Sequence, residues 1–299
     1  MFNLRSRIRD LVNKRWTAYL ERHSYVHKDA FTRPYIIRKN VEGVQFLFAI
    51  RDAHARLWYD LYCTDPIWIE MRFIRDHLVR PGDIVMECGS HHGCTAILLA
   101  NWVGPKGAVY AYEPGLRNFE VLKENISLNN LSNVHPINAA VGGSRDVVRF
   151  IEFLDNSMGS KVASGSAGPG RTSETYEVEQ VLLDDSASLR PALIKIDTQG
   201  YVYQPLLGCR KIIEEQKPHL ALEIDGKEDI EQYGANFDRI LPIIHHEEYD
   251  YFAQFEEGEE PVPIPFSEIL PQWNRRNGLM KNIHLYAKNR ARARAPQTP

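Results

Sequence analysis

Ile84-Val85-Met86-Glu87-Cys88-Gly89-Ser90-His91-His92-Gly93-Cys94-Thr95 runs from a short apolar segment, through a turn bounded by two glycines, into a helix-forming stretch. An apolar run of this length reads as a buried strand. Glycines at the turn let the backbone bend sharply and approach another chain or a ligand closely. Strand, glycine turn and helix together make the first unit of an open α/β sheet, whose ligands bind beyond the carboxyl ends of the strands.

The flanking sequence repeats that alternation. Thr95 to Trp102 reads as a helix stopped by Gly104-Pro105, and Ala108-Val109-Tyr110-Ala111-Tyr112 as the second strand. Leu116 to Asn129 is the second helix, and Val134 to Val141 contains the third strand. Val147 to Ile151 and Tyr176 to Leu183 read as strands, with a long Gly/Ser-rich loop from Ser157 to Thr175 between them. A loop of that length in a compact domain is either functional or an insertion without a role. Leu193-Ile194-Lys195-Ile196 is a further strand ending at Asp197, followed by a helix from Tyr203 to Gln216 and a strand His219 to Ile224. Phe237 to Ile240, Ile243-Ile244 and Ile283 to Ala287 supply closing elements. The expected fold is α/β and Rossmann-like, a mostly parallel sheet with helices on both faces.

The core sheet begins at Asp83, so residues 1–75 form an N-terminal extension, followed by a domain over 76–290 and a flexible tail over 291–299. In the extension, Leu4, Ile8, Leu11, Arg15 and Tyr19 fall at helical spacing, Tyr35 to Phe48 reads as a β-hairpin turning at Glu42-Gly43, and Asp65-Pro66 opens a helix over 66–79. The basic helix can lie weakly on an anionic membrane surface, or pack on its own domain. The extension is expected to cover a cofactor or shape an acceptor pocket.

Composition excludes several classes. The 299 residues carry 36 basic and 39 acidic side chains, a net charge of −3, which offers no footprint for nucleic acid as the main partner. No apolar stretch is long enough to span a bilayer and no signal peptide is apparent, so a cytoplasmic protein is expected. Cys63, Cys88, Cys94 and Cys209 form no CxxC pair and no zinc spacing, which points to free thiols and no metal site.

The glycine turn narrows the ligand. A dinucleotide fingerprint needs G-x-G-x-x-G, whereas here Gly89 and Gly93 enclose Ser90-His91-His92. Glu87, just before the first glycine, would repel a pyrophosphate but suits a cationic, amine-bearing ligand such as S-adenosylmethionine. Glu113, at the end of the second strand, stands where such folds place an acid that accepts both ribose hydroxyls.

These motifs resemble the FkbM family of methyltransferases. The segments that carry the resemblance are Ile84 to Gly93, Tyr112-Glu113-Pro114, Asn138-Ala139-Ala140-Val141-Gly142, Leu182-Leu183-Asp184-Asp185 and Ile194-Lys195-Ile196-Asp197-Thr198-Gln199-Gly200-Tyr201, spread over roughly residues 75 to 225. The resemblance implies a class I methyltransferase fold, S-adenosylmethionine as cofactor, and O-methylation of a hydroxyl on a sugar, glycolipid or natural product. By position it implies that Glu87, Cys88, Gly89, His91 and Gly93 hold the methionine part, Glu113 the ribose, and Asn138 and Ala139 the adenine. Asp197 would face the transferred methyl or the acceptor. The family commonly has Asp at position 87, Asn at 91 and Val-Glu-Gly-Tyr-Glu after the fourth strand. Here the last motif is Thr198-Gln199-Gly200-Tyr201-Val202, without either glutamate.

Methyl transfer gains from alignment of two reactants in a dry site and from a base for the acceptor proton. Asp197 is the first candidate for base or acceptor-orienting group, with a helix-capping role as its alternative. Glu223 and His91 follow, and His92 is a lesser candidate. The cluster His245-His246-Glu247 reads as surface. Two rival readings are a non-catalytic scaffold, motivated by the missing glutamates, and an NAD-dependent oxidoreductase, opposed by the missing fingerprint.

Overall fold

A computed structural model describes residues 31, 33–62, 69–154, 156–164, 172–255, 259–276 and 282–294. The N-terminal helix over 1–23, the start of the helix at Asp65-Pro66, Cys63 and the end of the tail lie outside the described residues.

The chain opens with the antiparallel hairpin β1 (Tyr35–Val41) and β2 (Val44–Ile50), turning at Glu42 and Gly43 as expected. A helical segment over 53–62 leads to α1 (Ile69–His77). The Rossmann-like core follows: β3 (Ile84–Cys88), α2 (Cys94–Val103), β4 (Ala108–Tyr112), α3 (Leu116–Leu128) and β5 (Val134–Ile137). The chain then leaves this sheet. β6 (Ala140–Val141), β7 (Asp146–Phe153), β8 (Lys161–Val162) and β9 (Ser173–Val181) form a separate four-stranded sheet in the order β6-β9-β7-β8. It returns with β10 (Leu193–Ile196), α4 (Tyr203–Gly208), α5 (Arg210–Gln216), β11 (His219–Ile224), α6 (Phe237–Ile244), β12 (Tyr249–Gln254), β13 (Val262–Pro263), α7 (Phe266–Arg276) and β14 (Ile283–Asn289).

The main sheet has the order β13-β12-β14-β11-β10-β3-β4-β5. Strands β5, β4, β3, β10 and β11 are parallel, and β14, β12 and β13 add antiparallel pairings at one side. Connections run one way from β3 and the other way from β10. A crevice therefore opens between the carboxyl ends of β3 and β10, where the strand order reverses.

Two sequence expectations need correction, and a third is extended. The region from Ser157 to Thr175 is not one long loop: a helical turn Ser157–Gly159, strand β8 and the start of β9 occupy much of it. The segment Val134 to Val141 does contain the third strand, β5, and also holds β6 of the second sheet. The helix from Tyr203 to Gln216 is broken at Cys209, and Phe237–Ile244 continues as one helix through Pro242.

Side-chain alternation assigns each face of the sheet its own core. Met86, Cys88, Ile194, Ile196, Leu220, Leu222 and Ile224 pack with α4, α5 and α6 on one face. Val85, Leu193, Ala221 and Tyr286 pack with α1 and α2 on the other. Helix α2 is apolar all round, with Ala96, Ile97, Leu98, Leu99 and Ala100 buried, a pattern that needs cover on two sides. The hairpin supplies the outer cover: Phe46, Phe48 and Ile50 join the same cluster. Each fully buried Leu, Ile or Phe contributes about 2 kcal/mol.

The hairpin is stitched down through α3. The backbone N–H groups of Leu47 and Ala49 donate to Asn129 Oδ1 at 2.8 Å and Asn125 Oδ1 at 2.7 Å. Asn125 Nδ2 also donates to the His92 carbonyl at 2.8 Å, so one buried amide joins hairpin, helix and glycine turn. Asn125→Ala would strand a buried N–H and a buried carbonyl. The expected loss is about 3 kcal/mol of unfolding free energy in urea, and a loss below about 1 kcal/mol would contradict this account.

Candidate functional site

The glycine turn is held from below by β4. The N–H groups of Gly89 and Ser90 both donate to the Tyr112 carbonyl, at 2.9 and 3.0 Å. Gly89 has φ +87°, and a Cβ there would fall 1.8 Å from the Asp197 carbonyl oxygen, so only glycine lets the turns after β3 and β10 touch. Each of these turns also carries a non-glycine residue in the left-handed region, His91 at φ +49° and Gln199 at φ +52°. Such strain costs about 1–2 kcal/mol per residue and gathers at functional sites.

Glu113 follows β4 and is 4% exposed. The His91 N–H donates to its Oε2 at 2.8 Å, and the Gly115 N–H to its Oε1 at 2.9 Å. Burial raises its carboxyl to about 7, against the pull of these donors, with Glu152 pushing in the same upward direction. Glu113 thus sits at the glycine turn, as its position after the second strand implied. Asn138 Nδ2 donates to the Glu113 carbonyl at 2.8 Å and braces that turn, and Ala139 beside it is buried.

Glu87 is fully buried. Ser90 Oγ donates to its Oε2 at 2.8 Å, and Thr95 Oγ1 to its Oε1. Burial raises its carboxyl, with Lys195 the main opposing charge. Glu87 and Lys195 are register partners on β3 and β10. Cys88 corrects an expectation: its side chain points into the apolar core on the opposite face and its thiol is pushed far up, so only its backbone is available to a ligand.

A second group of acids ends β10 and β11. Asp197 Oδ2 accepts from Lys195 Nζ at 3.0 Å, with the Asp197 side chain 31% exposed. Burial alone would raise Asp197, but Lys195 and a hydrogen bond with Glu223 hold it down at about 2. Glu223 moves the other way, raised by burial and by Asp197. Lys195 also meets Glu70 Oε1 of α1 at 3.8 Å, and His284 Nδ1 lies 3.6 Å from Glu70 Oε2. Asp225, one strand step beyond Glu223, accepts from the Gly200 N–H at 2.6 Å and is raised by burial to about 7. Val202, where the family carries a glutamate, is fully buried in the apolar core and serves packing here.

His91 and His92 stack at 3.9 Å between ring centroids. Tyr59 of the N-terminal extension hydrogen-bonds His91 Nδ1 at 2.8 Å, and His92 Nε2 lies 3.2 Å from Asn118 Oδ1. Burial lowers both imidazoles, His92 to about 4, so both are neutral at pH 7. His245, which stacks on Phe266, and His246 lie in a different part of the fold, beside β12 and α7. Among the described residues no group of three His, Cys, Asp or Glu could hold a metal ion, and no helix is long and apolar enough to cross a membrane.

Glu152, Asn118 and Tyr176 had no sequence signal. Glu152 of β7 accepts from the Arg117 N–H at 3.0 Å and from Tyr176 Oη at 2.8 Å, which caps α3 from the second sheet. The docking of that sheet brings Glu152 and Tyr176 to the site, where Asn118 of α3 already lies.

Comparison with known proteins bears on this geometry. The model of the Methyltransferase FkbM domain matches residues 87–252, more than half of the 299. No curated protein matches. Among solved structures, methyltransferase FkbM from Methylobacillus flagellatus KT is similar at 17% identity and TM-score 0.43, over 79% of this chain and 53% of that chain. The present chain thus spans about half of that protein. Fibrillarin from Aeropyrum pernix with natively bound S-adenosyl-L-methionine is similar at 11% identity and TM-score 0.41, over 84% of this chain and 82% of that one. A SAM-dependent O-methyltransferase from Thermotoga maritima is similar at 13% identity and TM-score 0.40, over 88% and 79%. On the family match, which begins at Glu87 and takes in both acid-bearing turns, the chain belongs to the FkbM methyltransferase family.

Proposed function

We propose that the chain binds S-adenosylmethionine at the ends of β3 and β4 and methylates a hydroxyl of a sugar, a glycolipid or a small natural product. The observation that carries this is the hydrogen bond from the His91 N–H to the Glu113 carboxylate, which fixes an acceptor for ribose hydroxyls against the glycine turn. The residues fit the cofactor in charge and in kind. Acids flank the crevice, and His91 Nε2 and Thr198 Oγ1 are buried beside the two turns without partners. Glu113, His91 and the backbone of 89–93 would hold the nucleoside and its amino-acid part. When bound, the cofactor supplies a methyl group on a sulfonium.

The protein's own part lies at Asp197 and Glu223. An ionised Asp197, backed by Lys195 and by its hydrogen bond with Glu223, can accept a hydrogen bond from an acceptor hydroxyl and orient its lone pair. At about 2, Asp197 is too weak a base to ionise a hydroxyl beforehand. If the methyl passed from the sulfonium to the oxygen, the S–C bond breaking to leave the thioether as the C–O bond formed, Asp197 would be placed to take the proton of the then strongly acidic oxygen. Removal of Asp197 therefore affects turnover more than cofactor binding.

Isothermal titration with S-adenosylhomocysteine tests the cofactor reading: saturable binding is expected, and a folded sample that gives no heat would refute it. Asp197→Asn should lower methyl transfer from labelled cofactor about 10²–10⁴-fold while S-adenosylhomocysteine affinity changes less than about threefold. Equal losses in both would remove Asp197 from the chemistry. The Glu113 carboxyl, at about 7, offers its full acceptor capacity only when ionised. Affinity for S-adenosylhomocysteine should thus fall about tenfold from pH 8 to pH 6, as the proton is taken up. Glu113→Gln should flatten that dependence.

A further inference from the structure

Beside Glu113 lies a group of buried polar atoms of which the reading above uses only His91 Nε2. His92 is 1% exposed and Ser157 8% exposed. His91 Nε2, His92 Nδ1 and Ser157 Oγ each lack a hydrogen-bond partner. Three separate elements bring them together. His91 and His92 stack in the glycine turn, Ser157 belongs to the turn after β7, and the extension segment Ala53–Ala55 lies against Ser157–Gly159.

The hydrogen-bond network fixes which protons are present. Asn118 Nδ2 donates to Glu113 Oε1 at 3.4 Å and to the Ser157 carbonyl at 3.3 Å, both acceptors. Its Oδ1 must therefore face His92 Nε2, so Nε2 carries the proton of the neutral ring. His92 Nδ1 is then a bare, buried acceptor that needs a donor. His91 Nε2 lacks a partner in either tautomer, because Tyr59 occupies Nδ1. A buried polar atom left unpaired costs about 1–3 kcal/mol. A hydroxyl can donate to His92 Nδ1 and can pair with His91 Nε2 or Ser157 Oγ in either direction. A carboxylate cannot donate to His92 Nδ1, whereas a hydroxyl serves both the bare nitrogen and the Ser157 hydroxyl. Glu113 is one hydrogen bond from His91 and, through Asn118, two from Ser157.

We propose that His91 Nε2, His92 Nδ1 and Ser157 Oγ complete the ribose site beside Glu113, and that Tyr59 of the N-terminal extension is the positioning residue that holds this wall. The inference rests on the cofactor reading and assigns the second sheet a direct part in nucleoside recognition and the extension an indirect one. Ser157 would touch the ribose, and Tyr59 would act through His91.

Calorimetry with S-adenosylhomocysteine and its 2′-deoxy and 3′-deoxy analogues separates the possibilities. Ser157→Ala should weaken S-adenosylhomocysteine about three- to tenfold, the range of one net hydrogen bond. The penalty should vanish for whichever analogue lacks the hydroxyl that Ser157 meets. Tyr59→Phe, which keeps the ring and removes only the hydroxyl, is measured in the same way and covers the case in which Ser157→Ala folds poorly. Unchanged affinity with a lowered melting temperature would mean that these atoms hold a buried water, and the proposal would fall. Equal penalties across all three ligands would also overturn it, because the effect would then be indirect. If the wild-type protein bound none of the three, the cofactor reading itself would fail and this inference with it.

Discussion

The contact between the His91 N–H and the Glu113 carboxylate fastens the turn after β3 to the turn after β4. Neither turn could hold its shape alone. His91 sits at positive φ without a glycine's freedom, and Glu113 is a carboxylate almost wholly removed from water. Each offsets the other's cost, since a backbone donor is what a buried carboxylate requires. Two further donations from Gly89 and Ser90 to the Tyr112 carbonyl reinforce the same junction. The junction proposed above for the nucleoside is thus held by the chain's own hydrogen bonds.

The acids at the ends of β10 and β11, proposed above as the acceptor side, are organised by a different constraint, the burial of Lys195. Its position on β10 puts it on the same face of the sheet as Glu87, one strand away. Glu223 and His284, register partners on β11 and β14, continue the row. A buried ammonium is tolerable only among acids, and Asp197, Glu70 and Glu87 surround it. The charge of Lys195 keeps Asp197 ionised, and Asp197 in turn raises the Glu223 carboxyl. One strand residue thereby shifts two ionisations at the crevice.

Much of this was legible in the sequence, and for local reasons. Strands β3, β4 and β10 are apolar runs that end at glycine or acid, and α2 and α3 follow with helical spacing, so the alternation was readable. The hairpin of the extension was readable from its turn residues. The side-chain direction of Cys88 was not legible because a motif specifies positions, whereas strand parity decides which side chains face the crevice. The second sheet was blurred because β6 and β8 are two-residue strands, too short for a period to show.

Chain order and residue type by themselves determined the α/β class, the place of the glycine turn, and the acids Glu87, Glu113, Asp197 and Glu223 at strand ends. Those are properties of periodicity over a few residues and of chemistry at a turn. Tertiary structure alone decided that Tyr59 and Asn118 meet that turn, that Glu152 and Ser157 meet the start of α3 beside it, and in which direction each acid's ionisation shifts. The physical reason is that partner distance and loss of water set hydrogen bonding and ionisation, and both depend on segments far apart in the chain, such as those of Glu70 and His284, that only packing brings together.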